Sequence, residues 1–79
     1  MERNLISVDV VRIRDEFIKL GQALKLAGLV DEGVEAKYAV QEGHVKVNGE
    51  VCLQRGKKLV PGDEFTYRNQ TVKVVGLDS

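Results

Sequence analysis

Residues 43–49 read Gly43-His44-Val45-Lys46-Val47-Asn48-Gly49 and combine an alternating strand, a basic side chain and a tight-turn dipeptide. Because successive strand side chains point to opposite faces, the two valines share an apolar face and the histidine and lysine a polar one. The Asn-Gly pair supplies the two positive-φ residues that a type I′ turn requires. An apolar alternation at Val51 and Leu53 follows. The stretch therefore predicts a β-hairpin.

Two short amphipathic helices are predicted before the hairpin. The first has apolar residues at i, i+3, i+4 and i+7, namely Leu20, Ala23, Leu24 and Ala27. Gly28 can end it in the left-handed conformation. Asp31 is expected to cap a second helix that runs to about Glu42, where Gly43 ends it. The inward residues of this second helix are expected to be Ala36, Ala39 and Val40.

The chain after the hairpin is predicted to return in short strands. Residues 54–58 form a basic, glycine-containing crossing. Pro61-Gly62 suits a type II turn, since proline presets φ at the second position and glycine supplies the positive φ of the third. Alternation then predicts two strands, with apolar residues Phe65 and Tyr67 in one and Val72 and Val74 in the other.

The N-terminal segment favours a further strand. Residues 5–13 are rich in β-branched side chains, and the alternation slips at Val11, which predicts a bulge. Residues 17–19 could form a second short strand or lead directly into the first helix. The whole order predicts an α+β fold, with two short helices packed on a small antiparallel sheet of about four to five strands. We expect one domain over residues 1–79, comprising an N-terminal strand extension (1–19) and a core (20–76).

Composition narrows the classes of function. A chain of 79 residues has room for one modest core, and a self-sufficient catalytic cleft is hard to enclose at that size. One cysteine and one histidine cannot complete a four-ligand zinc site or an internal disulfide, so we expect no metal and no cofactor. Acidic residues interrupt the N-terminal apolar residues, and no apolar run approaches membrane-spanning length. A cytoplasmic protein without membrane contact is expected, with a monomer favoured.

Charge is neutral overall but unevenly distributed. The chain has twelve basic and twelve acidic residues. Residues 1–36 contain five basic and seven acidic side chains, whereas residues 37–58 contain five basic and only two acidic ones. The segment around the hairpin therefore has a local charge of +3 in a neutral protein, which is typical of a patch that meets an anionic partner.

The hairpin stretch, the helix that carries Ala36 and the later Pro61-Gly62-Asp63 turn together resemble the S-four-type (S4-like) RNA-binding domain. The resemblance covers about residues 20–67. Further segments are similar to a branch of small, stand-alone bacterial proteins of this family: Leu20-Gly21-Gln22, Gly33 with Ala36-Lys37, and Arg55-Gly56-Lys57-Lys58-Leu59.

Two departures from the family pattern stand out. Leu20-Gly21-Gln22 partly replaces an Arg-Leu-Asp sequence, and Glu32-Gly33 replaces a Ser-Arg pair at the start of the second helix. Both substitutions remove positive charge from the helices. The resemblance still implies that the two helices and the hairpin form one surface that docks on structured RNA, such as ribosomal or transfer RNA.

Basic side chains on such a surface would neutralise phosphates, and a rigid surface would recognise the shape and 2′-hydroxyls of folded RNA. His44 and Asn48 could add hydrogen bonds to sugar or phosphate. The candidate RNA-binding residues are Lys25, Lys37, His44, Lys46, Asn48, Arg55, Lys57 and Lys58.

Most of these candidates also have a structural interpretation. Lys46 could be a solvated strand charge, and Lys37 could pair with Glu35 or Gln41. His44 could be a junction residue, and Asn48 is first a turn former. A mobile, solvated loop would equally explain the three cations Arg55, Lys57 and Lys58. The four aromatic residues could stack on bases, but most are expected to be buried, since the core has few large side chains: Phe17, Tyr38, Phe65 and Tyr67.

Two functions remain open at this point. The first is a non-enzymatic RNA-binding module on ribosomal or transfer RNA. The alternative is a protein-interaction module that docks on a protein or ribonucleoprotein partner. The neutral net charge and the acidic first half of the chain favour this alternative. An enzyme is not expected, because no nucleophile–base pair, paired carboxylates, phosphate loop or metal cluster can be assembled.

Overall fold

A computed structural model of the protein describes residues 8–77. The elements in chain order are β1 (Val8–Ile13), β2 (Ile18–Lys19), α1 (Leu20–Leu26), α2 (Gly33–Gln41), β3 (Val45–Val47), β4 (Glu50–Val51), β5 (Lys58–Leu59), β6 (Glu64–Tyr67) and β7 (Gln70–Gly76). The short strand at residues 18–19 leads straight into α1, so both interpretations of that segment hold. Within residues 8–77, no helix has the length and apolarity needed to cross a bilayer.

The strands form two sheets. Five of them lie in the order β1-β7-β6-β3-β4, and β2 pairs with β5 in a separate two-stranded sheet. The predicted α+β arrangement of two helices on a small sheet is confirmed. The large sheet is mixed and not wholly antiparallel, because β1 runs parallel to β7.

The β1 strand differs from its prediction in two respects. Its register with β7 is continuous from Val8↔Thr71 to Ile13↔Gly76, so the predicted bulge is wrong. The apparent slip arises because Val11 and Ile13 point into the core while Val10 is 52% exposed. Residues 5–7 of the predicted strand lie outside the described residues.

Both helices end at glycines, as predicted. Gly28 has φ +77° and Gly43 has φ +79°. The start of α2 differs from the prediction, since its N-cap is Glu32 and no side chain caps it. Asp31 lies one residue too early to cap the helix. Its own backbone N–H donates instead to Glu35 Oε1, at 2.9 Å.

The hairpin and the proline turn form as predicted. Asn48 and Gly49 have φ values of +52° and +89°, as a type I′ turn requires. At the second turn, Gly62 has φ +103° and the Asp63 N–H donates to the Val60 carbonyl at 2.9 Å.

The large sheet, which includes β1, and the two helices share one hydrophobic core. It contains Val11, Ile13, Leu20, Ala23, Leu24, Val30, Ala36, Ala39, Val40, Val45, Val47, Leu59, Phe65, Tyr67, Val72 and Val74. Cys52 packs against this core, whereas Val51 and Leu53 are exposed. Of the aromatic residues, only Phe65 and Tyr67 are buried, so the expectation that most would be buried is wrong for Phe17 and Tyr38.

Candidate nucleic-acid interface

A groove between the two helices and the loop before β5 collects basic side chains. This helix groove has a volume of about 310 Å³ and is lined by Lys19, Gly21, Gln22, Lys25, Gly33, Ala36, Arg55 and Gly56. Three of its lining residues are cations and none is a carboxylate. All three cations are exposed, so the groove offers its positive charge to an anion approaching from solvent.

Backbone hydrogen bonds fix the position of Arg55 in the helix groove. The amide of Leu20 donates to the Lys57 carbonyl at 2.9 Å, and the amide of Gly21 donates to the Arg55 carbonyl at 3.0 Å. These bonds satisfy the first two amides of α1, which would otherwise lack helical partners. The loop is thereby held against the start of the helix.

The absence of a side chain at Gly21 allows Arg55 to lie across α1. A β-carbon added at Gly21 would lie 2.6 Å from Arg55 Cγ and 3.1 Å from Cδ. Contacts below 3.0 Å do not occur between real atoms of this kind, so the aliphatic stem of Arg55 occupies the space of the missing methyl group. Gly21 therefore sets the direction in which Arg55 leaves the loop.

Two other predicted residues lie on the opposite side of the large sheet. Val45 and Val47 belong to the core, so Lys46, between them, points to the other face of β3. There it lines a depression of about 340 Å³ with His44, Thr66, Tyr67, Arg68 and Asn69. This sheet-face depression is separate from the helix groove.

Arg68 adds a further cation to the sheet-face depression. It occupies the left-handed region, with φ +54°, which is uncommon for a residue other than glycine, asparagine or aspartate. Its guanidinium carbon lies 5.1 Å from the centre of the Tyr67 ring. The sheet-face depression thus contains the two predicted residues Lys46 and His44 and also the cation–π pair of Arg68 and Tyr67, which lies at the tight turn between β6 and β7.

The remaining predicted residues are spread over three further places. Lys37 follows Gly33 by one helical turn and so lies on the same side of α2 as the helix groove. Lys57 and Asn48 line a depression of about 650 Å³ beside the hairpin. Lys58 places its ammonium 4.7 Å from the centre of the Phe17 ring.

Asn48 has a clear structural task. Its Oδ1 accepts from the Glu64 amide at 3.0 Å, and its Nδ2 donates to Asp63 Oδ1 at 3.2 Å. The other oxygen of Asp63 accepts from the Val60 amide at 2.9 Å. The hairpin turn and the proline turn are therefore joined through these two side chains.

The sequence interpretation missed three contributors to the helix groove, namely Lys19, Gly21 and Gln22. Lys19 and Gln22 lie in the first half of the chain, whose net charge is negative, so the charge distribution does not single them out. The similarity of the Gly21-Gln22 pair to the small bacterial branch is the signal available for these two residues. The contact between Gly21 and Arg55 has no local sequence signature, since the two residues are far apart in the chain.

Comparison with known proteins agrees with this architecture. The pattern of the S4 domain family matches residues 11–75. The chain is 38% identical over 58 residues to "Putative RNA-binding protein YbcJ" of Escherichia coli (strain K12), covering 73% of this chain and 83% of that protein. It is 45% identical over 60 residues to "Probable ribosome maturation protein RlbA" of Bacillus subtilis (strain 168), covering 76% and 78%.

A solved structure agrees over nearly the whole chain. The solution structure of YbcJ from E. coli, described as revealing an "ALFAL" motif involved in RNA-binding, superposes with a TM-score of 0.71 at 30% identity. The match covers 95% of this chain and 96% of that one. On the shared fold and the matched pattern, this chain belongs to the S4 domain family.

Proposed function

We propose that this protein is a non-enzymatic, cytoplasmic RNA-binding module that docks its helix groove on structured RNA. The observation that carries the proposal is the concentration of Lys19, Lys25 and Arg55 in one groove without a lining carboxylate. The name of the relative YbcJ, "Putative RNA-binding protein", supports the same class of ligand.

The groove suits the RNA backbone better than the bases. Each cation can neutralise one phosphate and release its counterions, which gives affinity that depends on salt and little on sequence. The major groove of A-form RNA is deep and narrow, so side chains cannot reach the base edges inside it. A surface held by backbone hydrogen bonds, as at Gly21 and Arg55, would therefore recognise the spacing of phosphates.

Ribosomal RNA is the ligand that we favour among structured RNAs. The support is the name of the Bacillus subtilis relative, "Probable ribosome maturation protein RlbA", whose match covers 76% of this chain. Transfer RNA presents the same A-form backbone and is the competing ligand. Crosslinking in cells, followed by sequencing of the attached RNA, separates the two.

The binding site is tested with a blunt-ended RNA duplex and variants of the helix groove. In wild type, we expect affinity to fall steeply between about 50 and about 200 mM salt. A Lys19→Ala, Lys25→Ala and Arg55→Ala triple variant should lose most of the affinity and lower the salt slope by about 0.7–0.9 for each phosphate contact removed.

Two comparison variants complete this experiment. Lys73→Ala is the matched control, because Lys73 lies opposite Glu64 in the sheet and lines none of the depressions described above. It should bind like wild type. Lys46→Ala reports on the sheet-face depression. Unchanged affinity in the triple variant would overturn the assignment of the groove, and absence of binding at low salt would overturn the function.

Docking on a protein or ribonucleoprotein partner is the second candidate. The observation in its favour is the exposure of Val51 and Leu53, two apolar side chains close to Gly43. Retention of ribosomal particles by the immobilised protein is measured with and without ribonuclease. Retention that survives ribonuclease and is lost in Leu53→Ser supports the protein contact. Retention lost with ribonuclease supports RNA binding.

A further inference from the structure

A second groove lies on the other side of α1, where the segment between β1 and β2 runs past the helix. This Phe17 groove has a volume of about 510 Å³, within the range of small-ligand sites. Its charged lining consists of three cations, Arg12, Arg14 and Lys25, and one carboxylate, Asp15. The groove therefore favours an anionic occupant.

An exposed aromatic ring lies in the wall of this groove. Phe17 is 37% exposed and belongs to the lining, in contrast to the buried Phe65 and Tyr67. Lys58 approaches the ring to 4.7 Å from its centre but does not itself line the groove. The ring is thus held by a cation–π contact while part of it remains open to a ligand.

The two grooves meet on α1. Gln22 and Lys25 line both of them, so this part of the helix forms a shared ridge. A phosphate backbone that contacts Lys25 in the helix groove has only to cross this ridge to reach Arg14 and Phe17. A chain with phosphates at regular intervals can follow such a path, since cations stand on both sides of the ridge.

We propose that the Phe17 groove binds an unpaired nucleotide that adjoins the structured RNA held in the helix groove. Its base stacks on Phe17, and its phosphates contact Arg14 and Lys25. This inference rests on the proposed function and extends it, because it assigns a ligand to residues 12–17. These residues come before the helix pair and the hairpin.

The exposed Phe17 ring and the cations beside it together favour an unpaired nucleotide as the ligand of this groove. Every base has a face that stacks on an aromatic ring, but bases within a duplex are already stacked on one another. An unpaired nucleotide next to a duplex supplies both a free base face and phosphates in the same chain. An acidic peptide could pair with the cations but has no general reason to use the ring.

The experiment compares a blunt-ended RNA duplex with the same duplex carrying a three-nucleotide unpaired overhang. For the wild-type protein we expect the overhang to increase affinity about ten-fold, the size of one base stacked on an aromatic side chain. Phe17→Leu should abolish this increase and leave the affinity for the blunt duplex unchanged. Tyr38→Leu is the matched control, because Tyr38 is also exposed but lines neither groove.

A second variant tests the phosphate contact. Arg14→Gln should reduce the salt dependence of the overhang increment by about one phosphate contact. Arg14 is exposed, so this change should leave the melting temperature of the protein unaltered.

The outcomes separate this inference from the proposed function. No binding of the blunt duplex at low salt overturns the proposed function. Normal binding of the blunt duplex without an overhang effect overturns only the inference. An overhang effect that persists in Phe17→Leu also overturns it, since the base would then lie elsewhere.

Discussion

Substitution of Gly21 by alanine should weaken RNA binding, although the added methyl group itself would not contact the RNA. The added β-carbon would lie 2.6 Å from Arg55 Cγ, so the arginine stem must move. The Arg55 carbonyl would lie 3.7 Å from the new carbon, an ordinary contact, so its hydrogen bond to the Gly21 amide can remain. The loop should therefore keep its place while the guanidinium leaves the helix groove.

The expected loss corresponds to one phosphate contact. A hydrogen bond to a charged group contributes about 1.5–3 kcal/mol, and the open, salt-screened groove favours the lower end. Affinity should thus fall about ten-fold, and the salt slope by about 0.7–0.9. The free energy of unfolding should change little, because alanine favours the helix by up to about 1 kcal/mol and the displaced stem offsets that gain.

Fluorescence anisotropy of a labelled duplex, measured in the wild-type and Arg55→Ala backgrounds, tests this reasoning as a double-mutant cycle. Gly21→Ala should cost about ten-fold in the first background and nothing in the second. Gly33→Ala is the matched control, since it adds a methyl group to the same groove with no atom within 4 Å. Equal losses in both backgrounds would refute the link between Gly21 and Arg55.

Three further predictions concern the free energy of unfolding, measured by urea denaturation of the protein alone. Asn48→Gly keeps the positive φ but removes both side-chain hydrogen bonds, so it should cost about 1–2 kcal/mol; a loss below the error of the method would contradict the turn-to-turn link. Leu24→Ala should cost about 2–5 kcal/mol, because Leu24 is fully buried. Leu26→Ala, on the same helix but 59% exposed, should change stability by less than about 0.5 kcal/mol, and equal losses would contradict the assigned helix face. Gly28→Ala meets no atom within 4 Å, so a loss of about 1–2 kcal/mol would measure the left-handed backbone alone, and no loss would show that the helix end can relax.

The parts of the fold that were predictable from sequence are those with local causes. Asn48-Gly49 and Pro61-Gly62 determine their turns through the φ values they permit. Gly28 and Gly43 end the helices for the same reason. The alternation of Val45 and Val47 likewise identified the buried face of β3.

The unpredicted parts depend on contacts between distant segments. The inward phase of β1 follows from its parallel pairing with β7, and nothing near Val11 indicates that partner. The contact between Gly21 and Arg55 has the same character. The distribution of charged residues along the sequence identified a basic segment, but its residues do not share one surface. Strand alternation places Lys46 on one face of the sheet, whereas Arg55 faces the helices.

The parallel pairing of β1 with β7 also has a consequence for synthesis of the chain. Asp9 and Gln70, joined by a side-chain hydrogen bond of 2.6 Å, are 61 positions apart. On the ribosome, β1 emerges early but its partner is made only after both helices and the hairpin. At roughly 5–20 residues per second, Val11 and Ile13 remain uncovered for seconds. The segment that becomes β1 thus lacks its hydrogen-bonding partner in the nascent protein until residues 70–76 are made and complete the sheet.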